Sequence, residues 1–229
     1  MTPRSAILSK RVPEWTGLFV ALIGTTVLWY PTVISRLLPE DLVWRNVAQQ
    51  ATDWAFAVVL VGIVVVWERR PLSSLGFKPL TKANFFAGLG LGGFTMLGIA
   101  GWRYLVAPVI PDLGSAAAGT GLPGHFFYWY APLALVTASL CEEVIYRGYA
   151  MERLLHVTGR PWIAVALPHV AFVLYHIKDG WDKVAMLSVV ALLFPLYYVR
   201  FRDLTMTIVA HAFIDLMAVV GQIAGVGQR

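Results

Sequence analysis

The chain has 229 residues, of which 58% are hydrophobic and only 14% are charged, and its mean hydropathy is +0.68. Soluble domains carry about 25% charged residues, so this composition excludes an ordinary soluble core. The net charge of +5 does not indicate nucleic-acid binding, because the basic residues lie in short segments between apolar runs. The single cysteine, Cys141, excludes an internal disulfide framework. We therefore expect an integral membrane protein with no nucleic-acid partner.

Membrane-spanning helices are the main feature that the sequence predicts. A helix crosses a bilayer with about 20 mostly apolar residues. Seven runs approach this length, and the second, fifth and sixth are short: Trp15–Leu38, Thr52–Trp67, Asn84–Val109, Phe126–Tyr146, Trp162–Ile177, Val184–Val199 and Leu204–Val226. We expect an all-α fold, a polytopic transmembrane helical bundle of about seven spans, with eight possible. Because no polar linker divides the chain, residues 1–229 are predicted to form a single integral membrane domain.

The basic residues predict how the chain sits in the membrane. The first apolar run follows Arg4, Lys10 and Arg11, as in a signal peptide, but it is too long and has no small-residue cleavage site. We interpret it as a retained first span. With the N-terminus inside, about two thirds of the 18 basic residues lie on the inner side. The pattern predicts a multi-pass protein of the cell membrane with a cytoplasmic N-terminus and, for seven spans, an outer C-terminus.

Three further segments are predicted to have structural roles only. The stretch Gly148–Thr158 is too polar to span and is predicted to be an interfacial helix, and Gly114–Gly124 is predicted to be a loop. Gly88, Gly90 and Gly93 match the dinucleotide-binding pattern G-x-G-x-x-G, but they lie inside the third apolar run and not between a strand and a helix. Their position favours close helix packing through small residues.

Charged residues at the end of the fourth span form the first functional candidate, because ionisable groups inside spans are costly. Glu143 and Arg147 are four residues apart with the acid first, which is the favourable spacing for a helical ion pair. Glu142 points about 100° away on a helix and remains free for chemistry. The alternative for this cluster is an interfacial salt bridge at a helix end.

Histidines in the fifth and seventh spans form two further candidates. The fifth span contains Phe172-x-x-x-His176, with His169 seven residues before His176. The seventh contains His211-x-x-x-Asp215, and the four-residue spacing places both side chains on one face. The alternatives are a polar residue satisfied near a span end for His176 and a structural hydrogen bond between helices for the pair in the seventh span.

Together these clusters bring carboxylates and imidazoles from three separate helices. Such a set can deprotonate a water and stabilise an oxyanion. It can also bind zinc, which takes histidine nitrogen and carboxylate oxygen, with Glu142, His176 and His211 as the ligands. The sequence contains no H-E-x-x-H motif. We favour chemistry without a metal and keep zinc as the alternative.

The three motifs resemble the signature of a known protease family. E-E-x-x-x-R, F-x-x-x-H and H-x-x-x-D occur in this order, each in its own apolar run, within residues 142–215. This arrangement resembles the CPBP family, also called the Abi family, which includes the type II CAAX prenyl endopeptidases. The turn Leu75-Gly76-Phe77 resembles the N-terminal pattern of the family more weakly. The resemblance implies an all-helical intramembrane endopeptidase with its catalytic part at about residues 126–226.

The resemblance also implies a role for each motif residue. Glu142 and His176 activate the attacking water, His211 and Asp215 stabilise the oxyanion, and Glu143, Arg147 and Phe172 support the site. The family often has asparagine at the last position, which donates a hydrogen bond, whereas an ionised Asp215 cannot. Asp215 therefore either acts in its protonated form or orients His211. The implied partner is a protein or peptide substrate, with or without a lipid group, in contact with membrane lipid.

Two other functions use the same residues differently. The first is a non-catalytic membrane scaffold or immunity protein of the same fold, although a scaffold does not need groups that activate water. The second is a small ion or proton transporter, which requires polar residues along a whole pathway. The first three predicted spans are nearly free of such residues, so the sequence favours the protease.

Overall fold

The structure, a computed structural model, describes residues 3–28, 42–110 and 124–224. Within these ranges the chain forms helices and no strand, which confirms the predicted all-α class. Several described helices are long and apolar enough to cross a membrane: Val43–Trp67, Lys82–Val109, Pro161–Asp179, Trp181–Phe201 and Leu204–Ile223. They correspond to the second, third, fifth, sixth and seventh predicted spans.

Seven helices in the described ranges are labelled in chain order. Short stretches of π- or 3₁₀-helical hydrogen bonding interrupt or end several of them. They are α1 (Pro3–Phe19, Val20–Gly24 and Thr25–Leu28), α2 (Leu42–Gly62 and Ile63–Trp67), α3 (Lys82–Gly101, Trp102–Val106 and Ala107–Val109), α4 (Gly124–Thr137, Ala138–Met151 and Glu152–Thr158), α5 (Pro161–Tyr175 and His176–Asp179), α6 (Trp181–Val190 and Leu193–Phe201) and α7 (Leu204–Ile223). A further 3₁₀ turn, Leu72–Leu75, lies between α2 and α3.

Some predicted boundaries fall on residues that the structure does not describe. The first predicted span continues to Leu38, and α1 covers its beginning, but residues 29–41 lie outside the described ranges. The predicted loop Gly114–Gly124 also lies outside them, except that Gly124 opens α4. The last residues of the seventh predicted span, 225–226, are likewise not described.

Helix α4 is continuous through the segment predicted to be a separate interfacial helix. Gly148–Thr158 is helical as predicted, and it continues α4 directly. Its position at the membrane interface stays a prediction. Tyr149, Met151 and Arg153 are buried in the protein there. The polarity of the segment has an internal explanation, since Arg153 pairs with the Glu68 carboxylate at 2.7 Å. Helix α4 packs against α1, α2, α5 and α7 and forms the centre of the apolar core.

Close packing between α3 and α7 sets the position of the seventh helix. A Cβ atom on Gly88 would lie 2.7 Å from the Met206 carbonyl oxygen, and one on Gly92 would lie 2.8 Å from that of Ala210. By contrast, Gly90 has nothing within 4 Å. The predicted packing role is therefore confirmed for Gly88 and wrong for Gly90 and Gly93, which both have nothing within 4 Å. The second packing residue is Gly92, one helical turn after Gly88.

Polar contacts at the first turns of α3 and α7 fix the same arrangement. Thr81 and Asn84 form a reciprocal capping box at the start of α3, with hydrogen bonds of 3.2 and 2.7 Å. Asp203 caps α7 by accepting from the Met206 amide at 3.0 Å. The Asn84 side chain also donates to Asp203 Oδ2 at 3.4 Å. The two helix starts are thus joined directly, which sets the axial position of α7.

The turn between α2 and α3 requires glycine. Gly76 has a φ of +83°, a conformation that other residues rarely adopt. A Cβ atom there would lie 2.2 Å from the Tyr198 hydroxyl oxygen. The Gly76 carbonyl accepts from the Leu204 amide at 2.9 Å, and Tyr198 donates to the neighbouring Leu75 carbonyl at 3.1 Å. The turn therefore holds the beginning of α7 against α6.

Basic residues from several helix ends meet at one end of the bundle. Arg11 donates to the Val157 carbonyl at 3.2 Å. Arg70 pairs with Glu14 at 2.7 Å, and Arg202, the residue after α6, pairs with Glu152 of α4. These arginines belong to the segments predicted to lie on the inner side of the membrane. The fold groups them on one side, while the orientation of that side stays a prediction.

Candidate active site

The carboxylate of Glu143 lies at the centre of the predicted site. Its Oε1 atom accepts from Arg147 Nη1 at 2.9 Å and from His211 Nδ1 at 3.0 Å. The side chains of Glu143 and Arg147 are 0% and 3% exposed. The predicted ion pair therefore exists, and both of its side chains are enclosed by protein. A buried charge is tolerated when it is paired and hydrogen-bonded, as here.

Two phenylalanine rings enclose the Arg147 guanidinium. Its Cζ atom lies 4.5 Å from the centre of the Phe172 ring and 5.3 Å from that of Phe194. A guanidinium on an aromatic face is stabilised by the negative potential of the ring. Phe172 was expected to support the site, and this contact shows how it touches it. Phe194 of α6 was not predicted, since it lies in an apolar run that also suits simple core packing.

The His211 ring lies between three carboxylates. Because an ionised carboxylate only accepts hydrogen bonds, the proton in the contact with Glu143 lies on Nδ1. The opposite nitrogen, Nε2, lies 3.9 Å from Glu142 Oε2 and 3.7 Å from Asp215 Oδ2. These distances exceed a direct hydrogen bond, yet they are short enough for one bridging oxygen to contact both partners. The structure thus brings Glu142, Asp215 and His211 together.

His176 lies where α5 passes into a 3₁₀ turn. Its Nδ1 atom is 2.9 Å from the Phe172 carbonyl oxygen. Because a carbonyl only accepts, Nδ1 carries a proton there, and Nε2 of the neutral ring can accept one. The ring packs against Phe172 at 4.7 Å and against Tyr175 at 5.1 Å between centroids. Phe172 therefore links His176 to the buried ion pair through its contact with Arg147.

The family comparison covers the helices that form this cluster. Residues 124–217 match the family model described as Type II CAAX prenyl endopeptidase Rce1-like. This part of the chain is similar to that family. The match extends from the start of α4 into α7 and includes all three motifs. Comparisons with curated proteins and with solved structures gave no match.

The Rce1-like match and the apolar helices identify an integral membrane protein with the fold of a CAAX-type membrane protease. The family implies a protein or peptide substrate at the membrane. Neither the kind of membrane nor the side on which the N-terminus lies follows from the match, so both stay predictions.

The zinc alternative requires Glu142, His176 and His211 around a single ion. Among residues 3–28, 42–110 and 124–224, no group of three or more His, Cys, Asp or Glu side chains could hold a metal ion. Zinc sites normally use three or four such ligands at about 2 Å. The described part of residues 124–217 therefore offers no preformed zinc site, and a reaction without a metal stays a prediction.

Polar residues of α2 were missed by the sequence interpretation. The second span was predicted to begin at Thr52, whereas α2 begins at Leu42. The extension brings Gln49 and Gln50 into the helix. Gln50 donates to the Tyr130 hydroxyl at 2.7 Å, and Gln49 donates to the Tyr175 hydroxyl at 3.1 Å. The inference that the first three spans are nearly free of polar groups was therefore wrong for α2.

Asp53 is the most informative of these missed residues. It is buried, and its carboxylate accepts from the Tyr175 hydroxyl through both oxygens, at 3.1 and 3.0 Å. Asp53 was visible in the sequence as an ionisable residue in an apolar run, which is the rule that identified the other candidates. It was overlooked because it belongs to none of the three motifs.

Proposed function

We propose that the chain is an intramembrane endopeptidase that hydrolyses a peptide bond with a water activated by Glu142 and His176. The observation that carries the proposal is the geometry around His211. Its Nδ1 is held by Glu143, while its Nε2 faces the carboxylates of Glu142 and Asp215 within 4 Å. A base, an orienting carboxylate and a potential donor to an oxyanion thus lie in one cluster.

In the proposed reaction, the Glu142 carboxylate takes a proton from water as the water oxygen attacks the substrate carbonyl carbon. The carbonyl π-bond electrons move to oxygen and form a tetrahedral oxyanion. Collapse of this intermediate breaks the C–N bond, and the proton held by Glu142 passes to the leaving nitrogen. The products are a carboxyl group and an amine. General base catalysis of this kind supplies about 10²- to 10⁴-fold in rate.

The surrounding residues have complementary roles in this proposal. His176 presents its Nε2 as a hydrogen-bond acceptor that orients the water, since its Nδ1 is already bonded to the Phe172 carbonyl. His211 in its doubly protonated form donates Nδ1–H to Glu143 and offers Nε2–H to the oxyanion. Such preorganised donors are worth about 10²- to 10³-fold in rate.

The site residues are enclosed by apolar helices, which favours a substrate that reaches them from within or beside the membrane. Glu142 and His176 are both buried, so a soluble peptide would have to leave water to meet them. We propose a protein or peptide substrate held at the membrane. A prenyl group near the cleavage site is one way to hold it there.

Reconstitution of the purified chain into liposomes tests the proposal. A library of membrane-anchored peptides, with and without a prenylated cysteine, is incubated with the liposomes and the products are identified by mass spectrometry. We expect defined cleavage products that are absent with Glu142→Gln. An absence of cleavage from the wild-type chain across both libraries contradicts the proposal and favours the non-catalytic scaffold.

The transporter alternative gains one observation from the structure, namely the buried polar side chains Gln50 and Asp53 of α2. A pathway for protons or ions needs polar groups across the membrane, and these residues extend the polar region beyond the motifs. An ion-flux assay with the same liposomes separates the two functions. Flux that depends on Asp53, without peptide cleavage, supports a transporter.

A further inference from the structure

Asp53 lies outside the three motifs and outside the family match, yet it is 4% exposed within an apolar helix. Both of its oxygens accept from one hydroxyl, that of Tyr175 on α5, at 3.1 and 3.0 Å. Gln49 Nε2 donates to the same hydroxyl at 3.1 Å. Two polar groups, the Asp53 carboxylate and the Gln49 amide, therefore converge on a single tyrosine oxygen, although a buried ionisable group is costly.

Tyr175 immediately precedes His176 in the chain. The two rings are in edge-to-face contact, with an interplanar angle of 84° and centroids 5.1 Å apart. The Phe172 ring also packs against the imidazole, with centroids 4.7 Å apart. His176 has backbone angles of −87° and 5° and ends the α-helix, so the regular helix no longer constrains it there. Its ring is instead held by its Nδ1 contact and by these two aromatic neighbours.

We propose that Asp53 is a positioning residue that holds Tyr175, and through it the imidazole of His176, in the orientation used for catalysis. The inference rests on the proposed function, since it concerns the histidine that orients the water. The hydrogen bonds between Asp53 and the Tyr175 hydroxyl are called the tether below. The Asp53 hydrogen bonds fix the end of the Tyr175 side chain, and the fixed ring limits rotation of the neighbouring imidazole. A reacting group displaced by about 1 Å can lose 10²-fold in rate.

The first test compares two tyrosines whose hydroxyls both form hydrogen bonds with side chains of α2. Tyr175→Phe keeps the ring beside His176 but removes the tether, and we expect kcat to fall by about 10- to 100-fold while KM changes little. Tyr130→Phe is the matched control, because it removes a hydroxyl bonded to Gln50 at 2.7 Å. We expect its kcat to remain close to that of the wild type.

A second pair of variants separates the tether from the charge of Asp53. Asp53→Asn keeps an oxygen that accepts from the Tyr175 hydroxyl, whereas Asp53→Ala removes both acceptors. We expect Asp53→Asn to retain much more activity than Asp53→Ala. Equal loss in the two variants contradicts positioning through the hydrogen bond.

A third measurement does not depend on peptide cleavage. Diethyl pyrocarbonate modifies accessible imidazoles, and mass spectrometry gives the modification rate at each histidine of the purified full chain. We expect Tyr175→Phe and Asp53→Ala to increase the rate at His176 several-fold, while Asp53→Asn leaves it near the wild-type rate. His169, on the same helix and bonded to the Ser188 carbonyl at 3.1 Å, is the internal reference.

The outcomes separate this inference from the proposed function. If the wild-type chain cleaves no peptide but His176 becomes more reactive in Tyr175→Phe, the tether stands and the protease proposal fails. If the wild-type chain cleaves and Tyr175→Phe changes neither kcat nor the reactivity of His176, the tether is overturned. Equal effects of Tyr130→Phe and Tyr175→Phe on both readouts also overturn it, because they indicate general loosening.

Discussion

Glu143 Oε1 lies 3.0 Å from His211 Nδ1, and this contact joins α4 to α7 across 68 residues of sequence. The same oxygen pairs with Arg147. One buried carboxylate therefore both neutralises a guanidinium and orients an imidazole. Since the shared oxygen couples the two contacts, a change at Arg147 will alter the geometry at His211 as well.

Removal of the Arg147 charge is expected to destabilise the fold as well as the activity. Arg147→Ala leaves Glu143 buried without its cationic partner, which costs on the order of 3–5 kcal/mol. The measurement is the melting temperature of detergent-solubilised protein. Arg160→Ala is the control, because Arg160 is exposed at the start of α5. A melting temperature equal to that of the control contradicts a structural role for the buried pair.

Asp215→Asn is expected to retain activity, whereas Asp215→Ala is expected to lose about 10²-fold or more. Within the described residues, Asp215 Oδ2 has no hydrogen-bond partner and lies 3.7 Å from His211 Nε2. Glu143 already orients His211, so Asp215 is available to the substrate. An asparagine amide donates to an oxyanion without a change of protonation. Initial rates of peptide cleavage decide the matter, and a large loss in Asp215→Asn indicates that the carboxylate orients His211 after all.

Substitution at Gly92 is expected to separate α3 from α7 and displace the histidine of α7 from the site. Gly92→Leu cannot be accommodated, because a Cβ alone would meet the Ala210 carbonyl oxygen at 2.8 Å. Overpacking of this kind costs about 1–3 kcal/mol. Gly90→Leu is the control, since nothing lies within 4 Å of a Cβ there. Equal melting temperatures and cleavage rates in the two variants argue against the packing contact.

Much of this site could be predicted from the sequence because polar residues are conspicuous in apolar helices. The four-residue spacings at Glu143 and Arg147 and at His211 and Asp215 each indicate a shared helix face, and the structure keeps them within 4 Å. The contact between Glu143 and His211 could not be predicted, because it depends on how α4 and α7 pack. The role of Phe194 could not be predicted for the same reason, since only the packing of α6 against α4 places its ring against Arg147.

Polar residues were the hardest part of the sequence to interpret. The charges at the end of α4 predicted a helix at the interface, and the structure shows that Glu68 neutralises Arg153 inside the protein. The start of α2 was placed too late because Gln49 and Gln50 interrupt the apolar pattern. Both are accommodated by hydrogen bonds with tyrosines from other helices, which no local pattern reveals.

We expect activity that does not depend on a metal. Elemental analysis of active, purified protein should show no stoichiometric zinc, and a strong chelator should leave the rate of cleavage unchanged. The physical reason is that Glu142, His176 and His211 come from three helices, whereas catalytic zinc sites usually take two ligands from one short motif. Stoichiometric zinc together with chelator-sensitive, zinc-restorable activity would overturn this prediction and make Glu142 a ligand.

The most direct test of the account is the cleavage rate of liposome-reconstituted Glu142→Gln and His176→Ala compared with His169→Ala. His169 is a buried histidine on the same helix as His176, but its ring bonds to the Ser188 carbonyl and not to a motif residue. The account predicts that the first two variants insert and fold like the wild type and lose about 10²- to 10⁴-fold in kcat, while His169→Ala retains most of its activity. Near-normal turnover by either Glu142→Gln or His176→Ala would contradict the proposed site.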